Sequence, residues 1–279
     1  MGVSMKTWSR FVMSAIMLLL LIGCGCARVA RAQNYADGSF QRTLNVSGPV
    51  ELDVSTGSGR IEIHAGTSSR VEVLGRIRAY DGLFGTRDVG RLIRDIESDP
   101  PIEQSGNVIR IGRTDRFSHR DHVSVSYEIT VPVNTRARSR TGSGSQEIAG
   151  IEGPVDATTG SGRIRITNVR SVSANTGSGQ IVAEDVKGAL RARTGSGGIK
   201  ADGDLGDRWD LSTGSGPVVV RLPQQAAFDL DAHTSSGSVT VDHPITVSGR
   251  LRRNEVSGRV RGGGVALDVR TGSGSIRIE

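Results

Sequence analysis

The sequence has 279 residues, with 35 Lys and Arg against 29 Asp and Glu, a formal charge of +6, and aromatic residues at only 4%. Both cysteines, Cys24 and Cys26, lie near the N-terminus, so the rest of the chain has no disulfide or thiol chemistry to draw on. Scarce aromatics argue against stacking platforms for neutral sugars. The charge falls to +2 once Lys6, Arg10, Arg28 and Arg31 are removed, too little to imply a nucleic-acid partner.

Residues 1–32 read as an export signal. Lys6 and Arg10 flank an apolar run from Phe11 to Ile22, which is too short to span a bilayer. Leu21-Ile22-Gly23-Cys24 has the order of a lipobox, in which cleavage before Cys24 leaves that residue lipidated and tethers the protein to a membrane surface. Ala30-Arg31-Ala32 offers the other route, with cleavage after Ala32 releasing a soluble periplasmic or secreted protein. Residues 33–45 are expected to be a linker, and 46–279 the folded domain.

That domain is punctuated by Thr-Gly-Ser-Gly, beginning at Thr56, Thr141, Thr159, Thr176, Thr194, Thr213 and Thr271, with Thr-Ser-Ser-Gly at Thr234 and a weaker Val256-Ser257-Gly258. From Thr141 to Thr213 the steps are 18, 17, 18 and 19 residues. This period is too short for a pair of helices and suits one coil of a solenoid. Apolar residues alternate on both sides of each turn, as in Val155/Ala157 before and Ile164/Ile166 after, so that every second side chain faces one interior. Ile151, Val169, Val186 and Leu205 supply a third column at the far corner. The glycines permit a tight reversal with no Cβ to strike the coil above. The Thr and Ser hydroxyls are expected to stack on their own kind in ladders. No repeat completes a phosphate-binding glycine loop, and each is followed by a strand instead of a helix.

The fold class is therefore all-β, a single-stack β-solenoid of about 18-residue coils. Residues 66–134 break the period and read as an N-terminal cap, with Val89, Leu92, Ile93 and Ile96 marking one face of a short helix that ends near Pro100. The regular repeats occupy 135–279. The final strand, Ser275 to Glu279, is expected to end the stack, either pairing with another molecule in self-association or blunted by Arg277 and Glu279.

The tandem Thr-Gly-Ser-Gly coils, preceded by Tyr127-Glu128-Ile129-Thr130-Val131-Pro132, resemble a bacterial adhesin-like family, the domain of unknown function 4097. The resemblance covers Val46 to Glu279. It implies an exported, all-β protein and carries over no catalytic residue.

Asp156, Asp210, Asp231 and Asp268 share the third position before the Thr, but Ser173, Arg191 and Arg252 interrupt that outward column. Paired carboxylates for glycoside cleavage or calcium binding are thus not expected, and a carbohydrate-active enzyme is the weaker alternative. His119 and His122 lack a third nearby metal ligand. After the turn, Arg163, Arg165, Lys200, Arg259, Arg261 and Arg277 could form a discontinuous basic stripe facing an anionic polymer, although Glu62, Val182 and Val219 fall in the same column. The expectation is a non-enzymatic module of the cell envelope without a cofactor. Its partners are the membrane, through lipidated Cys24, and an envelope protein or anionic polymer. A regulatory partnership in envelope-stress signalling is compatible with the same residues.

Overall fold

The computed structural model describes residues 35–80, 87–112, 123–247 and 252–279. In chain order it contains β1 (Tyr35–Asn45), β2 (Val50–Thr56), β3 (Ile61–Gly66) and β4 (Arg70–Tyr80), then helix α1 (Arg87–Ser98) and strands β5 (Ile102–Ser105) and β6 (Val108–Ile111). The array continues with β7 (Val123–Pro132), β8 (Thr135–Thr141), β9 (Gln146–Ala149), β10 (Pro154–Thr159), β11 (Ile164–Val169), β12 (Ser171–Thr176), β13 (Ile181–Val186) and β14 (Leu190–Ser196). It closes with β15 (Ile199–Gly203), β16 (Trp209–Ser215), β17 (Val218–Arg221), β18 (Phe228–Ser236), β19 (Val239–Val241), β20 (Ile245–Val247), β21 (Glu255–Val260), β22 (Val265–Ser273) and β23 (Ile276–Ile278).

Two large sheets result. The first runs β1-β4-β7-β3-β9-β11-β13-β15-β17-β23-β19, and the second runs β20-β21-β18-β22-β16-β14-β12-β10-β8-β2-β6-β5. The strand before each Thr-Gly-Ser-Gly turn lies in the second sheet and the strand after it in the first, so each turn carries the chain between sheets. Successive repeats pair in parallel, with Val155 against Val172 in one sheet and Ile164 against Ile181 in the other. The architecture is all-β and solenoid-like, open at the sheet edges.

Alternation decides which side chains fill the space between the sheets. Leu52, Val54, Ala157, Ala174, Leu211 and Val269 face Ile61, Ile63, Ile164, Ile166, Ile181 and Ile276, all wholly buried. Each large aliphatic side chain so placed contributes about 1.5–3 kcal/mol. Trp209 is also fully buried, and its indole N–H donates to the carbonyl of Gly188 at 2.8 Å, so its one polar atom is satisfied. The far corner is turned by Gly150, Asn168 and Asp185, all at positive φ, a conformation that glycine, Asn and Asp tolerate best. Ile151, Val169 and Val186 follow them into the interior as a buried third column.

The turn itself is held differently from the expected ladder of hydroxyls. From Thr141 onward each Thr donates to a main-chain carbonyl of the neighbouring coil, that of its second glycine, as in Thr159 to Gly144, Thr176 to Gly162, Thr194 to Gly179 and Thr213 to Gly197, at 2.8–3.2 Å; Thr56, in the first coil, donates to the carbonyl of Val125 instead. The side chains are nearly buried, so the bonds satisfy polar groups that water cannot reach. The second glycine is obligatory, because a Cβ on Gly162 or Gly179 would lie 1.8 Å from the carbonyl oxygen of the coil below.

Three sequence expectations need correction. Residues 35–45 are not a linker: β1 pairs antiparallel with β4 along its whole length, from Tyr35 against Tyr80 to Asn45 against Arg70. Its inward face includes Gly38 and Arg42, which hides the alternation. Gly38 is where α1 presses closest, since a Cβ there would meet Ile93 at 2.3 Å, and Arg42 donates to the helix-terminal carbonyls of Glu97 and Ser98. Glu97 in turn accepts the edge N–H of Ser39 at 2.9 Å, so the helix covers part of the sheet edge that caps must protect. Ile93 and Ile96 of α1 are buried in the same core.

The second correction concerns the final coil. β22 lies between β16 and β18, and β23 between β17 and β19, so the last coil is inserted inside the stack. Both of its edges are already paired, which leaves no edge for self-association through it. Third, Val256-Ser257-Gly258 is not a coil turn, because β21 runs antiparallel to β18 and, with β20, covers this end of the second sheet.

Candidate functional site

Outward-facing side chains of the second sheet form rows across the strands. One row reads Arg110, Asp53, Arg138, Asp156, Ser173, Arg191, Asp210, Asp268 and Asp231 in spatial order. Insertion of the last coil thus makes Asp210, Asp268 and Asp231 immediate neighbours, a juxtaposition that chain order conceals, while Arg252 lies elsewhere. Every one of these carboxylates is held by an arginine. Arg193 reaches Asp210 at 3.0 Å, Arg270 reaches Asp231 at 3.4 Å, and Arg208 pairs with Asp268. Further along, Arg138 meets Asp156 at 3.6 Å and Arg140 meets Asp53 at 3.2 Å. Such exposed pairs are worth about 0–1 kcal/mol each, so the ladder sets charge pattern more than stability.

The basic residues after the turn are divided by the fold. Arg165, Lys200 and Arg277 share one outward row of the first sheet, separated by Val182 and Val219. With neighbouring strands about 4.8 Å apart, these cations recur roughly every 10 Å. Arg163 is exposed just before β11, beside this row. Arg259, by contrast, lies on β21 in the second sheet, 3.8 Å from Asp229. Arg261 follows it, with its Nε donating to the carbonyl of Gln224. Arg165 is paired with Glu184 at 3.3 Å and Arg277 with Glu279 at 3.7 Å. The Arg221 guanidinium, hydrogen-bonded to Glu279, holds that carboxyl below its ordinary range.

At the cap end the same face of the first sheet has another character. The row continues from Arg165 through Glu147 and Glu62 to Glu128. Beyond it the face dips into a trough of about 780 Å3 whose walls carry Arg60, Arg76 and Arg78 and whose floor carries Ser124 and Ser126. Sequence reasoning missed this feature, because β1 and β4 build one wall and β1 reads as a linker. Tyr127, beneath the floor, is buried edge-on to Phe40, with ring centroids 6.4 Å apart, and burial pushes its phenol above the ordinary value. Cys24, the alternative cleavage site after Ala32, and the pair His119 and His122 lie outside the described residues. No helix among the described residues is long and apolar enough to cross a membrane.

A family model described as Toastrack DUF4097 matches residues 105–279, well over half of the sequence. The chain belongs to the Toastrack family. The match takes in β6 to β23, while most residues of the trough walls precede it. Comparison with curated proteins finds no match for this Toastrack chain. Among solved structures, the "putative cell adhesion protein" of Clostridium sporogenes is 13% identical, with 87% of this chain and 99% of that one covered at a TM-score of 0.36. A "putative adhesin" of Parabacteroides distasonis is 10% identical over 86% and 97%, TM-score 0.38. A "putative lipid binding protein" of the same organism is 11% identical over 87% and 97%, TM-score 0.34. Likeness this distant bears on neither the ligand nor the mechanism of the Toastrack chain.

Proposed function

We propose that this Toastrack protein is an exported, non-catalytic, adhesin-like module of the cell envelope, whose coils of about 18 residues form a rigid platform for a protein or an anionic polymer. The observation that carries the reading is the way coils are joined. A buried Thr hydroxyl to Gly carbonyl bond links neighbours, and outward charges then pair between coils, so both sheet faces are fixed surfaces. Solenoids present such extended faces to partners. The commitment of Asp156, Asp210, Asp231 and Asp268 to arginines favours this over the enzymatic alternative, which needs carboxylates free to exchange protons. On the first sheet, Arg163, Arg165, Lys200 and Arg277 are the residues assigned to an anionic partner.

Attachment is through lipidated Cys24, with release after Ala32 as the other outcome of processing. Fractionating cells that express wild type and Cys24→Ala, fed a radioactive fatty acid, tests both. Label and membrane retention lost together in the variant establish the anchor, whereas unlabelled, soluble wild type outside the cytoplasm establishes the released form. Wild type confined to the cytoplasm contradicts the reading.

A further inference from the structure

The trough arises where the antiparallel pair β1–β4 joins the first parallel strands. Ser124 and Ser126 of β7 stand opposite Arg78 and Arg76 of β4, so small residues make the floor and long ones the wall. Its 780 Å3 falls within the range of natural ligand sites, about 300–1,000 Å3.

Its charges are balanced and oriented. Arg60 Nη1 lies 2.9 Å from Glu62, Arg76 Nη2 lies 3.1 Å from Glu128, and Arg78 Nε lies 3.0 Å from Asp37. Arg60 and Arg76, both lining the trough, each make a single carboxylate contact, which leaves further N–H donors of a five-donor fork for a ligand. Ser126 Oγ accepts the main-chain N–H of Arg60 at 3.1 Å, which leaves its own O–H to donate.

We infer that this trough binds an uncharged, polyhydroxylated ligand, a neutral oligosaccharide; the inference rests on the binding-module reading above and adds to it a second ligand, at a site apart from the basic row assigned to an anionic partner. A polyanion placed here would meet Asp37, Glu62 and Glu128, and a polycation would meet three guanidiniums. An apolar ligand would strip water from all six without replacing its hydrogen bonds. A sugar hydroxyl instead accepts from a guanidinium N–H and donates to a carboxylate oxygen. Tyr127 lies buried beneath the floor, so recognition proceeds through these hydrogen bonds and not through ring stacking.

The test is calorimetric titration of the processed protein, purified from expressing cells, with maltohexaose, cellohexaose, mannohexaose, hexagalacturonate and hexaglucosamine. At least one neutral hexamer should bind, at least tenfold more tightly than either charged one. Arg76→Ala with Glu128→Ala should weaken that binding at least tenfold without lowering the melting temperature. Ser124→Tyr, which fills the floor and leaves every charge in place, should abolish it. No binding by any neutral hexamer, equal binding by the charged ones, or full binding by both variants overturns the assignment. Envelope retention through Cys24 with no hexamer bound removes the trough alone and leaves the module reading standing.

Discussion

Thr271 donates its hydroxyl to the carbonyl of Gly216, 3.0 Å away and 55 positions earlier, while Thr234, which lies between them in sequence, donates instead to Gly274. The same bond that links ordinary neighbours therefore also seats the inserted coil on both sides.

Replacing one such hydroxyl by a methyl group of equal shape isolates its contribution. Thr176→Val leaves the Gly162 carbonyl without its side-chain donor, and the expected loss is about 1–2 kcal/mol. Thr176→Ser, which keeps the hydroxyl, should lose less than half of that. Urea denaturation midpoints at constant slope decide the point, and equal losses in the two variants would assign the effect to packing.

Glycine substitutions should be sharply position-dependent. A Cβ at Gly179 would sit 1.8 Å from the Gly162 carbonyl oxygen, whereas at Gly57 it meets nothing within 4 Å. Gly179→Ala should cost about 3 kcal/mol or more, and Gly57→Ala under about 1 kcal/mol. Thermal melts of the two proteins compare them directly, with similar values counting against the stacked-turn geometry.

Much of this architecture is legible in the sequence. The two apolar columns around Ile164 and Ala157, the third column at Ile151 and Val169, and the apolar face of α1 follow from spacing alone. Stack order does not, because all Thr-Gly-Ser-Gly turns offer the same carbonyl to the next Thr, and nothing local distinguishes Gly216 from Gly237 as a seat for Thr271. The strand β1 is obscured for a different reason, since Gly38 and Arg42 occupy inward positions to receive α1 instead of to fill a core. The trough depends on β1 and is hidden with it, and the basic residues after the turns divide between two sheets because Arg259 falls at a coil-like position in an antiparallel strand.

The burial of Tyr127 gives a pH signature. Its phenol stays protonated in the folded protein at pH values where the unfolded chain, titrating near 10, has lost the proton. The unfolded state then binds fewer protons, so stability is full below about pH 10 and falls as pH rises beyond it. Tyr127→Phe should flatten the decline between about pH 10 and 11.5, as measured by denaturant midpoints. An unchanged decline would place its origin in other groups.

Ile164→Asp tests the central column, because Ile164 is wholly buried between Gln146 and Ile181. An unpaired carboxylate there should cost several kcal/mol and unfold adjacent coils together. Trp209, the one described tryptophan, reports unfolding by its fluorescence, and an unaltered melting profile would refute the core assignment.

The juxtaposition of Asp210, Asp268 and Asp231 and the seating of the last coil inside the stack depend on the order β16-β22-β18, and engineered disulfides test it most directly. In a background of Cys24→Ser and Cys26→Ser, Asp210→Cys with Asp268→Cys places two thiols on adjacent strands in register, within disulfide reach. Asp210→Cys with Asp231→Cys places them two strands apart, about 10 Å, beyond it. Oxidation should cross-link the first pair readily and the second scarcely at all, as read by mass spectrometry of the digested protein. Efficient linkage of 210 to 231 with none of 210 to 268 would put the coils in simple chain order and contradict the account.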